Sequence, residues 1–123
     1  MKTILIVDDD AGLRNFFERA FRRNFDVEGL TAQSGEEAYN IFAENWSIDY
    51  ILADNSMANG TGIELIEGIR DYDADIPITL MGGANPTLKE QELLKKHNVR
   101  FLLKPFDVVK EFEGIFERRP NEN

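Results

Sequence analysis

Five short apolar runs, separated by amphipathic stretches, are the feature that most restricts how this chain can fold. Most of the runs are continuous rather than alternating, the run at 27–32 is a weaker strand candidate, and the stretches between the runs repeat apolar residues at helical spacing. Strands of this kind are typical of a parallel sheet that helices cover on both faces. The sequence therefore predicts an α/β fold, a doubly wound sheet of five parallel strands. The runs lie at 4–7, 27–32, 50–53, 78–81 and 99–103.

Capping signals predict where the intervening helices begin. Ser34 precedes an amphipathic stretch with the spacing of a capping box. Asn85, with Pro86 at the first turn, predicts the start of a fourth helix. Asp107 predicts the start of a last helix, whose apolar stripe continues to Phe116. The chain thus contains about five strand–helix units.

Composition excludes several classes of protein. The 123 residues suit one domain, and they include no cysteine and one histidine, His97. A disulfide framework, a thiolate zinc site and a cysteine nucleophile are therefore excluded. No apolar run approaches the ~18 residues of a membrane span, and the start of the chain is unlike a signal peptide. A net charge of −9 opposes direct binding to nucleic acid or anionic membranes. We expect a cytoplasmic protein.

Chemically active side chains follow the ends of the predicted strands. Asp8–Asp10 follow the first run, Asp54 the third, and Lys104 the last. Ligands of such sheets bind beyond the carboxyl ends of the strands. Clustered carboxylates without histidine suit Mg²⁺, which also takes phosphate oxygens. An aspartate can act as the nucleophile that forms an acyl phosphate, and a lysine can neutralise the phosphoryl group. The pattern indicates phosphoryl chemistry.

Three segments together resemble the receiver domains of two-component response regulators. They are 4–10, 49–54 and 101–106, and they occur in the order and at the spacing of that family. The resemblance extends from Lys2 to about Phe116. It implies a flavodoxin-like (βα)5 fold with strand order 2-1-3-4-5. It also implies a receiver domain over 1–119, followed by a short C-terminal tail over 120–123.

The resemblance implies a role for each residue that matches a family motif. Asp54 matches the phosphoacceptor and also belongs to the metal site. Asp9 matches the direct Mg²⁺ ligand, and Asp8 matches the acid that holds a metal-bound water. The backbone carbonyl of Ser56 matches the third protein ligand. Lys104 matches the lysine that pairs with the phosphoryl group.

The chain departs from the family at several positions near this site. Gly82 stands where the family has Thr or Ser, whose hydroxyl donates to a phosphoryl oxygen; a hydrogen bond of this type contributes roughly 1.5–3 kcal/mol. Phe101 matches the switch aromatic, and the space left by Gly82 predicts that its ring stays inward, which weakens coupling to phosphorylation. Ala58 replaces a usual proline. At Pro105 the chain keeps the family pattern, in which the peptide bond between this lysine and proline is cis.

The leading hypothesis is a stand-alone receiver that a sensor histidine kinase or a histidine phosphotransfer protein phosphorylates. It would not be an enzyme beyond its own phosphorylation and dephosphorylation. Its output would be contact with an unknown downstream protein, through the two helices after Pro86 and Asp107 and the strand of Phe101. The same surface is the family's usual dimer surface, so the resemblance also allows a homodimer. One alternative is a pseudo-receiver, a binding module independent of phosphorylation. Another is an aspartyl-nucleophile phosphatase, which the segment 8–11 partly resembles.

Overall fold

A computed structural model describes residues 1–45, 47–57, 60–73 and 75–120 of the chain. Five strands form one parallel sheet, and two further strands of two residues each form a separate antiparallel pair. In chain order the elements are β1 (Lys2–Val7), α1 (Ala11–Asn24), β2 (Val27–Ala32), α2 (Gly35–Glu44), β3 (Tyr50–Asp54), β4 (Ser56–Met57), β5 (Gly60–Thr61), α3 (Gly62–Tyr72), β6 (Ile78–Gly82), α4 (Leu88–Lys96), β7 (Arg100–Leu103) and α5 (Val108–Phe112). The sheet order is β2-β1-β3-β6-β7. Among the sheet strands alone this is 2-1-3-4-5, which confirms the predicted fold and order.

The two faces of the sheet carry separate cores, and this explains the continuous apolar runs. Ile4 and Ile6 of β1 belong to a core with aromatic residues of α1 and α5. Leu5 and Val7 belong to the other core, with residues of α2, α3 and α4. All four side chains are fully buried. A strand that is buried on both faces is apolar at most of its positions.

The start of α4 differs from the prediction. The cap is Thr87 rather than Asn85, because Thr87 and Glu90 satisfy each other's free backbone donors. Thr87 Oγ1 accepts from the Glu90 amide at 3.1 Å, and Glu90 Oε1 accepts from the Thr87 amide at 2.9 Å. This reciprocal capping box makes the helix begin two residues later than expected. Ser34 does cap α2, as predicted.

The last helix is shorter than predicted. Asp107 caps α5 as expected, but the helix ends at Phe112. Phe116 lies beyond it and is still buried, against aromatic rings of α1 and α5. The next residues pair with the α1–β2 connection: Arg118 forms an antiparallel bridge to Phe25. That pairing satisfies backbone groups that a longer helix would otherwise use.

Some expectations fall outside the described residues. These are the position of Ala58 and all of the predicted tail 120–123 except Pro120. Among the described residues, no helix combines the length and the apolar character that a membrane crossing requires.

Candidate functional site

Three carboxylates meet at the carboxyl edge of the sheet, as the sequence predicts. Asp8 and Asp9 follow β1, and Asp54 ends β3, the strand next to it in the sheet. Each residue offers an oxygen within 4.8 Å of the others. Asp8 is fully buried and Asp54 is 5% exposed, whereas Asp9 faces solvent. Three like charges so close together repel unless a cation or a proton lies among them.

The Asp8 carboxylate is the most constrained of the three. Its Oδ1 accepts from the Asp10 amide at 2.9 Å, while its Oδ2 is buried and has no hydrogen-bond partner among the described residues. Burial, with a smaller contribution from Asp54, raises the pKa of the Asp8 carboxyl above its ordinary value. A buried acceptor without a partner is costly, and a hard cation with oxygen ligands would satisfy it. The residues present therefore fit Mg²⁺.

Lys104 completes the polar cluster at the end of β7. Its Nζ lies 3.4 Å from Asp54 Oδ1, and that same oxygen is 3.4 Å from the Ser56 amide. The Lys104 amide donates to the Gly82 carbonyl oxygen at 2.7 Å, which ties the lysine to the end of β6. The peptide bond from Lys104 to Pro105 is cis, as the resemblance implied. An ammonium group and a buried carboxylate thus stand in direct contact at the sheet edge.

Gly82 lies under the ring of Phe101. A Cβ on Gly82 would lie 3.3 Å from Cε2 and Cζ of that ring, closer than ordinary van der Waals contact. Phe101 is partly buried and packs against the core on one face of the sheet. The ring therefore occupies space beside the backbone where a larger residue would place its side chain. Thr79 offers no substitute hydroxyl, because it is buried in a hydrogen bond with the Tyr50 hydroxyl.

Sequence reasoning missed three residues that shape this site. Arg14 donates from Nη1 to the Asp8 carbonyl oxygen at 2.8 Å, which steadies the turn between two carboxylates. Asn55 donates from Nδ2 to Glu90 Oε2 at 3.0 Å, across 35 residues of sequence. No local pattern predicts either contact. Glu90, the third residue, follows Thr87 at the spacing of a capping box, so its role as a helix cap could have been predicted from the sequence.

Gly62 is packed more tightly than its place in the sequence indicates. A Cβ there would lie 2.8 Å from the Asp54 carbonyl oxygen and would also overlap the Leu80 side chain. Backbone atoms cannot move aside as the end of a flexible side chain can. The start of α3 can therefore approach the Asp54 backbone because this residue is glycine.

An apolar patch borders the polar cluster on the α1 side. It is a concavity of about 400 Å³ that includes the side of Lys104. Phe16 is 56% exposed, whereas the next residue, Phe17, is buried. The Phe16 ring contacts Phe17, which in turn stacks on Phe106. The patch is formed by Leu13, Phe16, Phe17, Pro105 and Phe106.

Comparison with known proteins agrees with this geometry. Curated relatives include a chemotaxis protein CheY homolog of Campylobacter jejuni, 26% identical over 88% of this chain and 86% of that protein. They also include the DNA-binding transcriptional regulator NtrC of Azospirillum brasilense, 29% identical over 98% of this chain. The chain spans 24% of the length of that regulator.

A solved structure and a family model extend the comparison. The Thermotoga maritima response regulator TrrA, solved in complex with Mg²⁺ and BeF, matches with a TM-score of 0.81 and 25% identity. The match covers 94% of this chain and 96% of that one. The model of the response regulator receiver domain family matches residues 4–113, which include all three motifs and the four sheet-edge residues Asp8, Asp9, Asp54 and Lys104. The chain therefore belongs to the response regulator receiver domain family of two-component phosphorelay systems.

Proposed function

We propose that this receiver domain, taken as residues 1–119, accepts a phosphoryl group on Asp54. The observation that carries the proposal is the contact between Lys104 and Asp54 inside a cluster of three carboxylates. A lone aspartate at a strand end would be an ordinary turn residue. An aspartate held between an ammonium group and two further acids is prepared for a phosphoryl group and a cation.

The transfer uses one oxygen of the Asp54 carboxylate as the nucleophile. That oxygen bonds to phosphorus as the bond from phosphorus to a donor imidazole nitrogen breaks, and the electron pair of the broken bond stays on that nitrogen. Lys104 offsets the charge on the equatorial phosphoryl oxygens. Mg²⁺ would be held by Asp8, Asp9, Asp54 and the Ser56 carbonyl. When bound, it would neutralise negative charge and orient the phosphoryl group.

The apolar patch supports a protein as the phosphoryl donor. Exposed aromatic residues next to a reactive carboxylate are typical of a surface that another protein covers. Phe16 and Phe106 line the same concavity as Lys104, so a protein that covered the patch would lie beside the ammonium group that contacts Asp54. We therefore expect a sensor histidine kinase or a histidine phosphotransfer protein to dock there. The phosphorylated domain would then signal by binding a downstream protein. Its cytoplasmic location stays a prediction.

Binding independent of phosphorylation is the second candidate function, and the contact between Gly82 and Phe101 favours it. The ring already fills the space above the glycine, so phosphorylation has less to change there. The match to the receiver family covers Asp8 and Asp9, which leaves the phosphatase alternative without support.

Titration with Mg²⁺ and beryllofluoride, followed by ¹⁹F NMR and by amide spectra, tests both candidates. We expect a bound fluoride signal that requires Mg²⁺ and disappears in Asp54→Asn and Asp9→Asn. A bound signal with no change at the Phe101 ring would favour the second candidate. A complete lack of binding by the wild type would contradict phosphoacceptance at this site.

A further inference from the structure

We propose that Glu90 is a positioning residue for the Asp54–Ser56 segment and couples that segment to the start of α4. The inference rests on the proposed function, because it concerns how tightly the site holds Mg²⁺ and a phosphoryl group. Glu90 does not touch the site itself. It acts through Asn55, the residue between the proposed phosphoacceptor and the proposed carbonyl ligand.

Asn55 is held on three sides. Its amide donates to the Met81 carbonyl oxygen of β6 at 2.7 Å, and its carbonyl oxygen accepts from the Gly62 amide of α3 at 3.2 Å. Its side-chain amide donates to Glu90 Oε2 of α4 at 3.0 Å. Two of these bonds belong to the backbone and are insensitive to sequence. The third depends on one carboxylate, so it is the bond that substitution can remove.

Glu90 serves two partners with its two carboxylate oxygens. Oε1 accepts from the Thr87 amide and closes the capping box, while Oε2 accepts from Asn55. The backbone bond to Thr87, followed by the bond from Asn55, lowers the pKa of the Glu90 carboxyl. The group is therefore charged when it makes these bonds, and charged acceptors form the stronger hydrogen bonds. One side chain thus fixes the first turn of α4 and the segment that follows Asp54.

This link begins close to Gly82, because the Asn55 amide bonds to the carbonyl oxygen of Met81, the residue before it. β6 ends at Gly82, which has no hydroxyl, so no side chain at this position can bind the phosphoryl group directly. The bond between Asn55 and Glu90 reaches α4 by another route. Coupling between two sites is reciprocal, so a ligand that orders the Asp54–Ser56 segment should also order the cap of α4.

The size of the effect follows from one hydrogen bond. Because Glu90 is only partly buried, solvent screens its charge, and the bond contributes about 0.5–1.5 kcal/mol net, as an ordinary hydrogen bond does. This corresponds to a change in affinity between about twofold and about tenfold. We expect Glu90→Ala and Asn55→Ala each to weaken binding of Mg²⁺ and beryllofluoride by that factor. The double variant should lose no more than either single one, because both remove the same bond.

Three matched variants separate positioning from helix capping and from charge. Thr87→Ala removes the capping hydroxyl but leaves both partners of the Asn55 bond in place. Glu92→Ala removes an equal charge from an exposed position of the same helix. Glu90→Gln keeps one carbonyl oxygen that can accept from Asn55, and its amide nitrogen then replaces the oxygen that accepted from the Thr87 amide. All three should bind beryllofluoride within about twofold of the wild type, whereas Glu90→Ala should not.

Hydrogen exchange of the α4 amides supplies a readout independent of affinity. Binding of Mg²⁺ and beryllofluoride should slow exchange at the Glu90 and Gln91 amides in the wild type, but not in Asn55→Ala. Equal weakening by Thr87→Ala and Glu90→Ala would reduce Glu90 to a helix cap and overturn the inference. Additive losses in the double variant would also overturn it. Failure of the wild type to bind beryllofluoride would instead count against the proposed function, which keeps the two failures distinct.

Discussion

Adding a hydroxyl at position 82 tests how the missing side chain changes this site. Gly82→Ser adds a Cβ and a hydroxyl at the end of β6, and Gly82→Ala adds the same Cβ alone. The comparison of the two variants therefore isolates the hydroxyl. A hydrogen bond to a charged phosphoryl group contributes about 1.5–3 kcal/mol, which corresponds to roughly 10- to 150-fold in affinity. We expect the Kd for Mg²⁺–beryllofluoride to be lower in Gly82→Ser than in Gly82→Ala by at least about tenfold.

The Cβ itself has a cost that both variants share. It would lie 3.3 Å from the Phe101 ring, so the ring must move by a few tenths of an ångström. Overpacking costs about 1–3 kcal/mol, and a partly buried ring should place it near the lower end. Loss of glycine flexibility in the unfolded chain offsets about 0.4–1 kcal/mol. Urea unfolding should thus place both variants within about 1 kcal/mol of the wild type. Equal beryllofluoride affinity of the two variants would refute the reasoning.

Three further predictions concern packing, charge and docking. Gly62→Ala should lower the free energy of unfolding by about 1–3 kcal/mol or more, because its Cβ would lie too close to the Asp54 carbonyl oxygen. Gly83→Ala, where a Cβ has open space around it, should change the free energy of unfolding by under about 0.5 kcal/mol. Similar urea midpoints of the two variants would contradict the tight packing at Gly62. The pKa of Asp8 is higher in the folded protein than in the unfolded chain. The Mg²⁺-free wild type should therefore gain stability as the pH falls from the folded-state pKa to the unfolded-state pKa. Asp8→Asn should lack this gain and should be the more stable protein at neutral pH. Parallel pH dependence of the two proteins in thermal unfolding would rule this out. Phe16→Ser should still be phosphorylated by acetyl phosphate. Its rate of phosphoryl transfer from a histidine phosphotransfer protein should fall at least about tenfold, because an aromatic anchor of the interface is lost. An unchanged transfer rate in a quench-flow assay would show that the apolar patch is not part of the docking surface.

The sheet was predictable because its strands are buried on both faces. Ile4 and Leu5 point into different cores, and each is fully buried, so the sequence shows an unbroken apolar run. The order of the strands came from the resemblance rather than from periodicity. Asp8 and Asp54 lie together because β1 and β3 are neighbours in that order.

The connections were less predictable, because two local signals can compete. Asn85 before proline and Thr87 before Glu90 are both good starts for a helix, and they are two residues apart. The reciprocal hydrogen bonds of Thr87 and Glu90 decide between them. The stripe that ends at Phe116 predicted burial correctly but not helix, because a buried aromatic residue can also follow a turn.

The contacts that refine the site depend on tertiary packing. The bond from Asn55 to Glu90 forms only when α4 lies against the end of β3 and the segment after it. The close approach of Gly62 to the Asp54 carbonyl oxygen likewise depends on how the start of α3 packs against the end of β3. Neither residue type nor spacing encodes such distances. Sequence reasoning therefore predicted which side chains meet at the sheet edge but not the residues that position them.

Intact mass after incubation with acetyl phosphate and Mg²⁺ tests the central claim most directly. The measurement compares the wild type with Asp54→Asn, each with Mg²⁺ and with a chelator. We predict the gain of one phosphoryl group by the wild type in Mg²⁺ alone, and no gain by Asp54→Asn. The same gain in both proteins would mean that another residue is the acceptor and would contradict the account of this site.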